Sequence, residues 1–299
     1  MYNIKEAAAR AGVSVPVLRA WERRYGIVRP ARTASGYRQF DDAAVARVRH
    51  MRELVADGWS PSAAAAAITA GSAPPEAAEN APPSPIGEEP FGERIVRAAA
   101  ALDPAAIEAI LDDLFARGSF ERVASTLLFP ALERLGDAWA RGEISVAGEH
   151  LASGAVQRRL ALALEAAGPP LAGRQVVIGL PPGGRHELGA LAFAVAARRA
   201  GLPIVYLGAD LPADDWLTAT RGAAAAVIGV VTARDRPTAN ALADRLAREH
   251  PGLVVAFGGR AAKAVGSALR LPDVLQDAVA MLGGAIESGR EPHRRSSAP

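Results

Sequence analysis

His186 lies in the run Val176-Val177-Ile178-Gly179-Leu180-Pro181-Pro182-Gly183-Gly184-Arg185-His186-Glu187-Leu188-Gly189. An imidazole can bind a metal, move a proton or cap a helix. The residues before the prolines read as a buried parallel strand, and those after them begin a helix. His186 therefore stands at a strand-to-helix turn, where open α/β sheets hold their ligands. A second chemically capable set lies upstream. Nine residues separate Trp139 from the pair Glu149-His150. Trp139 is expected to end one helix and Glu149-His150 to begin the next, so that they can face one cavity. Singly, each has a structural reading: tryptophan as core, and Glu149 as a first-turn complement to the helix dipole. Together with His186 they favour metal binding. The chain has no cysteine, which excludes disulfides, thiolate chemistry and cysteine zinc sites. A dinucleotide fingerprint with a ribose-binding acid is not found after the first strand.

The elements that must carry these residues follow from patterning. The 299 residues leave room for two or three domains. Ala73–Pro90 contains six prolines, four glutamates and no basic residue. Such a stretch cannot bury a core and reads as a semi-extended linker after a module covering residues 1–72. The alanine run Ala63–Ala67 reads as helix. Residues 91–168 repeat apolar side chains at helical spacing, as in Leu111, Leu114 and Phe115, then Leu127, Leu128, Leu132 and Leu135. Asp103-Pro104 is an N-cap followed by a first-turn proline. A four-helix bundle is expected there. Residues 169–289 alternate strand and helix, with strands at Val176–Leu180, Ile204–Leu207, Ala226–Val231 and Leu253–Phe257 and a short final strand at Val274–Leu275. That pattern predicts a doubly wound parallel sheet. Its ligand crevice would lie beyond the strand ends, which carry Pro181–His186, Gly208–Pro212, Thr232–Arg236 and Gly258-Gly259-Arg260. Residues 290–299 are polar and expected to be a disordered tail. The fold class is thus multidomain, α followed by α/β. Nothing resembles a signal peptide or a bilayer-spanning apolar run, so a cytoplasmic protein with no membrane partner is expected.

Charge is uneven although the net value is only +2. Residues 1–40 hold eight Lys/Arg against two Asp/Glu, which suggests nucleic acid at that end. Ile4–Ala11 reads as a helix and Gly12-Val13-Ser14 as a tight turn. Ser14 would cap a second helix containing Leu18, Trp21 and Tyr25, which is helix-turn-helix spacing. The second helix is expected to offer Arg19, Arg23, Arg24 and Tyr25 to DNA, its arginines pairing with phosphates or guanine edges. Pro30–Phe40 reads as a β-hairpin wing, with Arg32, Tyr37 and Arg38 available to the backbone.

With Leu-Arg-x-Trp-Glu-Arg-Arg-Tyr-Gly and Gly-Tyr-Arg-x-Phe in order, residues 2–70 resemble the winged-helix DNA-binding domain of the MerR family of transcription regulators. A helical bundle followed by a sheet with histidine after its first strand resembles the cobalamin-binding module of methionine synthase and its relatives. The Trp–Glu–His spacing resembles light-responsive MerR repressors of the CarH and LitR type. The resemblance spans almost the whole chain. It implies adenosylcobalamin as cofactor, with His186 ligating cobalt from below and the bundle capping the upper face. Trp139, Glu149 and His150 would lie at the upper face, around the 5′-deoxyadenosyl group. Gly189, Gly208, Gly258 and Gly259 would let backbone approach the cofactor, and Thr232 would stand near its tail. It further implies double-stranded operator DNA as partner and a homo-oligomer, dimer or tetramer, that photolysis of the cobalt–carbon bond takes apart.

Three positions depart from the pattern. The family places an acid two residues before the ligand histidine, to orient it, and this chain has Gly184. The serine or threonine near the end of the third strand is Val230, with Thr232 nearby. A light-state histidine directly after the tryptophan is replaced by Ala140, leaving His150 as the nearest substitute. These departures keep another reading open: a light-independent MerR-type regulator that senses cobalamin or another ligand, or uses the domain only to oligomerise. A cobalamin-dependent enzyme is a third class, which no accompanying barrel or substrate domain supports.

Overall fold

The computed structural model describes residues 1–13, 15–32, 38–56, 61–70, 89–168, 172–262 and 268–288. Ser14, the wing tip 33–37, nearly all of the linker and the tail lie outside them. The chain divides into two compact units, residues 1–168 and 169–299.

The first unit opens with α1 (Ile4–Ala11), whose start is closed by a capping box. Asn3 accepts from the Lys5 and Glu6 amides, and Glu6 reaches back to the Asn3 amide. Gly12 ends it in the left-handed conformation, and α2 (Val15–Tyr25) follows. Strands β1 (Ala31–Arg32) and β2 (Arg38–Gln39) pair antiparallel as the stem of the wing. Helices α3 (Asp42–Ala56) and α4 (Pro61–Ala70) complete the head. Leu18, Trp21, Phe40, Val48 and Met51 are its buried core.

The bundle is built from α5 (Phe91–Ala100), α6 (Pro104–Phe115), α7 (Phe120–Val123) running through a π-helical turn into α8 (Phe129–Ala140), and α9 (Val146–Ala166). The widened turn Ala124–Leu128 precedes Pro130, which lacks the N–H that a regular ladder would use. Asp103 caps α6 as expected, accepting from the Ala105 and Ala106 amides at 3.0 Å each. Helix α9 has 21 residues, roughly 31 Å at 1.5 Å per residue. Its first turn carries Glu149, and its last turn sends Ala166 into the core of the N-terminal head, with Leu162 packed against it.

The second unit is a five-stranded parallel sheet of β3 (Val176–Gly179), β4 (Ile204–Gly208), β5 (Ala225–Gly229), β6 (Val254–Gly258) and β7 (Leu269–Arg270). The spatial order is β4-β3-β5-β6-β7. Helices α10 (Leu188–Arg199), α11 (Ala213–Ala219), α12 (Arg236–Glu249) and α13 (Leu275–Ser288) cover it. Val177, Ile228 and Phe257 share one buried cluster with Trp216, Leu242 and Leu246 of α11 and α12. The intervening residues Ile178, Val227 and Ala256 are buried on the opposite face. Burial on both faces explains why these strands are apolar runs without alternation. The final strand corrects an expectation. It is Leu269–Arg270, and Leu275 instead starts α13. The apolar pair Val274-Leu275 is a helix entry, with Leu275 buried and Val274 47% exposed.

Candidate cofactor and DNA-binding sites

In a sheet ordered 2-1-3-4-5, the crevice opens between its first and third strands, because the connections leave them in opposite directions. In this sheet those are β3 and β5. His186 follows β3, two residues ahead of α10, and is exposed. The loop beneath it is tied down from several sides. The Leu180 amide donates to Gly208 O at 2.9 Å, and fully buried Trp216 donates its indole N–H to Leu180 O at 3.2 Å. Gly184 N–H closes a turn on Pro181 O at 2.9 Å. Asp210 then brackets the glycine pair. Its carboxylate Oδ1 accepts from the Gly183 amide at 2.6 Å, and its own amide donates to Gly184 O at 2.8 Å. At the start of α10, Glu187 Oε2 accepts from the Tyr206 hydroxyl at 2.7 Å. Burial, with the Glu187 carboxylate beside it, holds the Tyr206 phenol well above its ordinary range, so it remains a donor.

Among the described residues no group of three or more His, Asp or Glu side chains could hold a metal ion. A lone imidazole such as His186 suits a metal whose other positions are already filled, as they are in a macrocycle. The glycines around it divide into two kinds. A Cβ at Gly189 or Gly258 would meet nothing within 4 Å, so both leave open space, Gly189 at the start of α10 and Gly258 at the end of β6. Gly208 and Gly259 have φ of +81° and +105°, conformations that side chains rarely adopt. At Gly259 a Cβ would also lie 2.7 Å from Val230 O. Its glycine is therefore required by the protein's own backbone. Thr232 is committed locally, its hydroxyl and amide both bonded to Asp235 Oδ2 at 2.8 and 2.9 Å. An exposed imidazole beside open glycine surface is compatible with a corrinoid that takes one protein ligand, whereas Gly259 and Thr232 are committed within the protein itself.

In the first unit, Trp139 ends α8 and Glu149-His150 opens α9, as expected from their spacing. The connection 141–145 is held firmly. Gly142 adopts a left-handed φ of +73°, and the Glu143 amide closes back on Ala138 O at 2.8 Å. The Glu143 carboxylate takes Arg141 Nε at 2.6 Å and Arg134 Nη2 at 2.9 Å, and Arg134 also grips Glu93 on α5. The Arg141 and Arg134 guanidinium groups hold the Glu143 carboxyl below the usual carboxylate range. Ser145 caps α9 through the Gly148 amide at 3.1 Å. Trp139 is half exposed at 50%, an unusual state for so large an apolar surface. Glu149 Oε2 lies 2.7 Å from His150 Nδ1, so these two residues pair with each other.

Four positioning residues carried no motif signal. Gly148 is one: a Cβ there would sit 2.5 Å from Ala99 O on α5, so a side chain would push Glu149 outward. Trp216, Tyr206 and Asp210 are the others. Each acts across more than 18 residues of sequence, and only an aspartate two residues after a strand-end glycine hinted at the last.

In the head, Arg19 and Arg23 are exposed on α2. Tyr25 is half-buried and packs on the core. Arg38 Nε donates to Glu22 Oε1 at 2.8 Å, bolting the wing to α2. The side chains of Arg24 and Arg32, and Tyr37 entirely, lie outside the described residues.

Residues 2–70 match the family described as MerR HTH family regulatory protein, and residues 92–163 match that described as B12 binding domain. The chain is 34% identical over 273 residues to the HTH-type transcriptional repressor CarH of Myxococcus xanthus, covering 88% of this chain and 90% of that one. It belongs to the MerR-type repressors that carry a B12-binding domain. A second member of this group, the HTH-type transcriptional repressor CarA of the same organism, is 32% identical across 71% of this chain and 69% of its own length. The monomethylamine corrinoid protein of Methanosarcina barkeri superposes with a TM-score of 0.51 at 17% identity, over 65% of this chain and 96% of that one. At that identity the likeness is one of fold alone. Among the described residues no helix is long and apolar enough to cross a membrane.

Proposed function

We propose that this protein is a DNA-binding transcriptional repressor that senses light through adenosylcobalamin. The carrying observation is His186, exposed at the sheet's switch point in a chain that begins with a MerR reader. In this reading His186 is the lower ligand, and Gly189 and Gly258 give the cofactor room. Trp139 and Glu149 contact the adenosyl group, with His150 held beside Glu149. Bound adenosylcobalamin supplies a cobalt–carbon bond that light breaks. The residues then differ in what they hold: Trp139 and Glu149 lose their contacts in the light state and keep them in the dark. That difference in binding free energy is what can shift a population between two assemblies. Helix α9 supports the coupling physically, since one rigid element carries Glu149 at one end and Ala166, in the core of the DNA-binding head, at the other.

The test is size-exclusion chromatography and operator binding of the holoprotein in the dark and after green light. A dark oligomer that separates and releases DNA is expected. Identical behaviour in dark and light would overturn the light reading. If cofactor binds but light changes nothing, the light-independent cobalamin sensor stands in its place, a reading that Ala140 favours. Absence of cobalamin absorption bands would leave a domain used only to oligomerise.

Arg19 and Arg23 are assigned to DNA in the same reading, together with Arg24, Arg32, Tyr37 and Arg38. Arg19→Ala and Arg23→Ala should each weaken binding by about 1–3 kcal/mol if they read bases. A residue that meets only phosphate should lower the salt slope by about one instead. Fluorescence anisotropy at several salt concentrations, on a duplex selected by the wild-type chain, separates the two. Unchanged affinity and slope would remove that arginine from the interface.

A further inference from the structure

A histidine that ligates a metal through one ring nitrogen usually gives its other N–H to a carboxylate or carbonyl, which fixes the ring and raises its basicity. The position two residues ahead of the histidine is residue 184, and it is a glycine in a tight turn. A Cβ on Gly184 would lie 3.0 Å from Pro181 O and 3.1 Å from both Leu180 Cβ and Pro181 Cδ. A side chain there would have to displace the turn that delivers His186 by a few tenths of an ångström. Two carboxylates reach the loop from elsewhere. Glu187 is adjacent in sequence, but its Oε2 holds the Tyr206 hydroxyl on edge strand β4. Asp210 arrives from the loop after β4 and grips the glycine pair from both sides through its carboxylate and its amide. Only Oδ1 of that carboxylate is used on Gly183; among the described residues no hydrogen bond reaches Oδ2. Asp210 also stands at φ +54°, in the left-handed region that aspartate and asparagine enter more readily than most side chains.

We propose that Asp210 is the positioning carboxylate of the His186 ligand, supplied from the neighbouring β-loop where residue 184, a glycine, carries none. The inference rests on His186 being the cobalt ligand. Asp210 would do two things at once: Oδ1 fixes the turn three residues ahead of the imidazole, and Oδ2 would accept the imidazole N–H once cobalt is bound.

The discriminating variant is Asp210→Asn. Asparagine tolerates the left-handed conformation and still accepts from the Gly183 amide, but it lacks the charge. Cob(II)alamin is added to protein labelled with ¹⁵N-histidine, and electron paramagnetic resonance reads whether a histidine nitrogen splits the cobalt signal. In the wild type the label should turn the nitrogen triplet into a doublet. Asp210→Asn should bind cobalamin about 10–100-fold more weakly and show a smaller histidine-split fraction, with the unfolding midpoint of the free protein unchanged. Glu187→Gln should keep the wild-type signal. Wild-type affinity and splitting in Asp210→Asn would overturn the proposal. So would an affinity loss matched by a lowered unfolding midpoint, which assigns Asp210 to loop architecture alone. A signal lost in Glu187→Gln but kept in Asp210→Asn would give the role to Glu187. A wild type whose signal ignores the label fails earlier, because His186 is then not the ligand.

Discussion

His186→Ala should lower cobalamin affinity by more than the roughly 10–100-fold that follows loss of a residue merely supporting a metal ligand. Any cofactor that still binds should show the absorption spectrum of cobalt with no protein nitrogen beneath it. The free protein should be unaffected in stability. His186 is exposed, makes no hydrogen bond among the described residues and caps nothing, since Glu187 occupies the position before α10. Exposed substitutions of this kind stay within about 0.5 kcal/mol of the wild type. Titration of both proteins with adenosylcobalamin, followed by absorption and by thermal unfolding of the cofactor-free chains, reads both effects. Unchanged affinity and spectrum would dismiss the ligand assignment. A large drop in the unfolding midpoint would make His186 structural. The expected combination, a severe binding loss on an intact fold, is peculiar to a residue placed for a ligand.

Gly148→Val is expected to have the next largest effect, and it acts on the other unit. Gly148 is buried where the first turn of α9 meets the end of α5. Its helical backbone would accept any residue, but the space would not. A Cβ would press on Ala99 O at 2.5 Å and on Ala99 C at 3.1 Å, both backbone atoms that cannot swing away. Forcing extra atoms into a closed contact costs about 1–3 kcal/mol. The relief available is a shift of the start of α9, which carries Glu149 and His150 with it. The bundle should therefore unfold at a temperature several degrees lower, measured by circular dichroism on the free protein. In the proposed function, preference for adenosylcobalamin over a cobalamin lacking the adenosyl group should shrink. The His186 signature should persist, since that residue belongs to the other compact unit. An unchanged melting temperature would show that α9 and α5 yield more easily than the contact implies. An unchanged preference would separate Glu149 from adenosyl recognition.

The two predictions differ in how much of each could be read without coordinates. His186 was legible because a strand-to-turn-to-helix transition is a local event, written in apolar run, prolines and glycines within 14 consecutive residues. Gly148 was not, because its constraint comes from Ala99, on a helix that ends long before α9 begins. The head was equally legible: α1 was expected at the bounds it takes, since its cap and its terminating glycine are contiguous with it. The short strand β7 was missed for a physical reason. Two residues carry no periodicity, and an apolar pair such as Val274-Leu275 suits a strand or a buried helix entry equally.

The sequence by itself determined which elements exist and which side chains could do chemistry: the arginines of α2, the pair Trp139 and Glu149 across one helix connection, and His186 beyond the first strand. Periodicity, capping and turn residues are short-range, so a linear chain displays them in full. Only the tertiary structure decided how those side chains are held. It bolted Arg38 to Glu22, committed Thr232 to Asp235, closed the turn around residue 184, and brought Asp210 to the loop before His186. Those facts depend on the order in which parallel strands lie beside one another and on how closely two helices approach. Both are set by packing between residues distant in the chain, which no local pattern records.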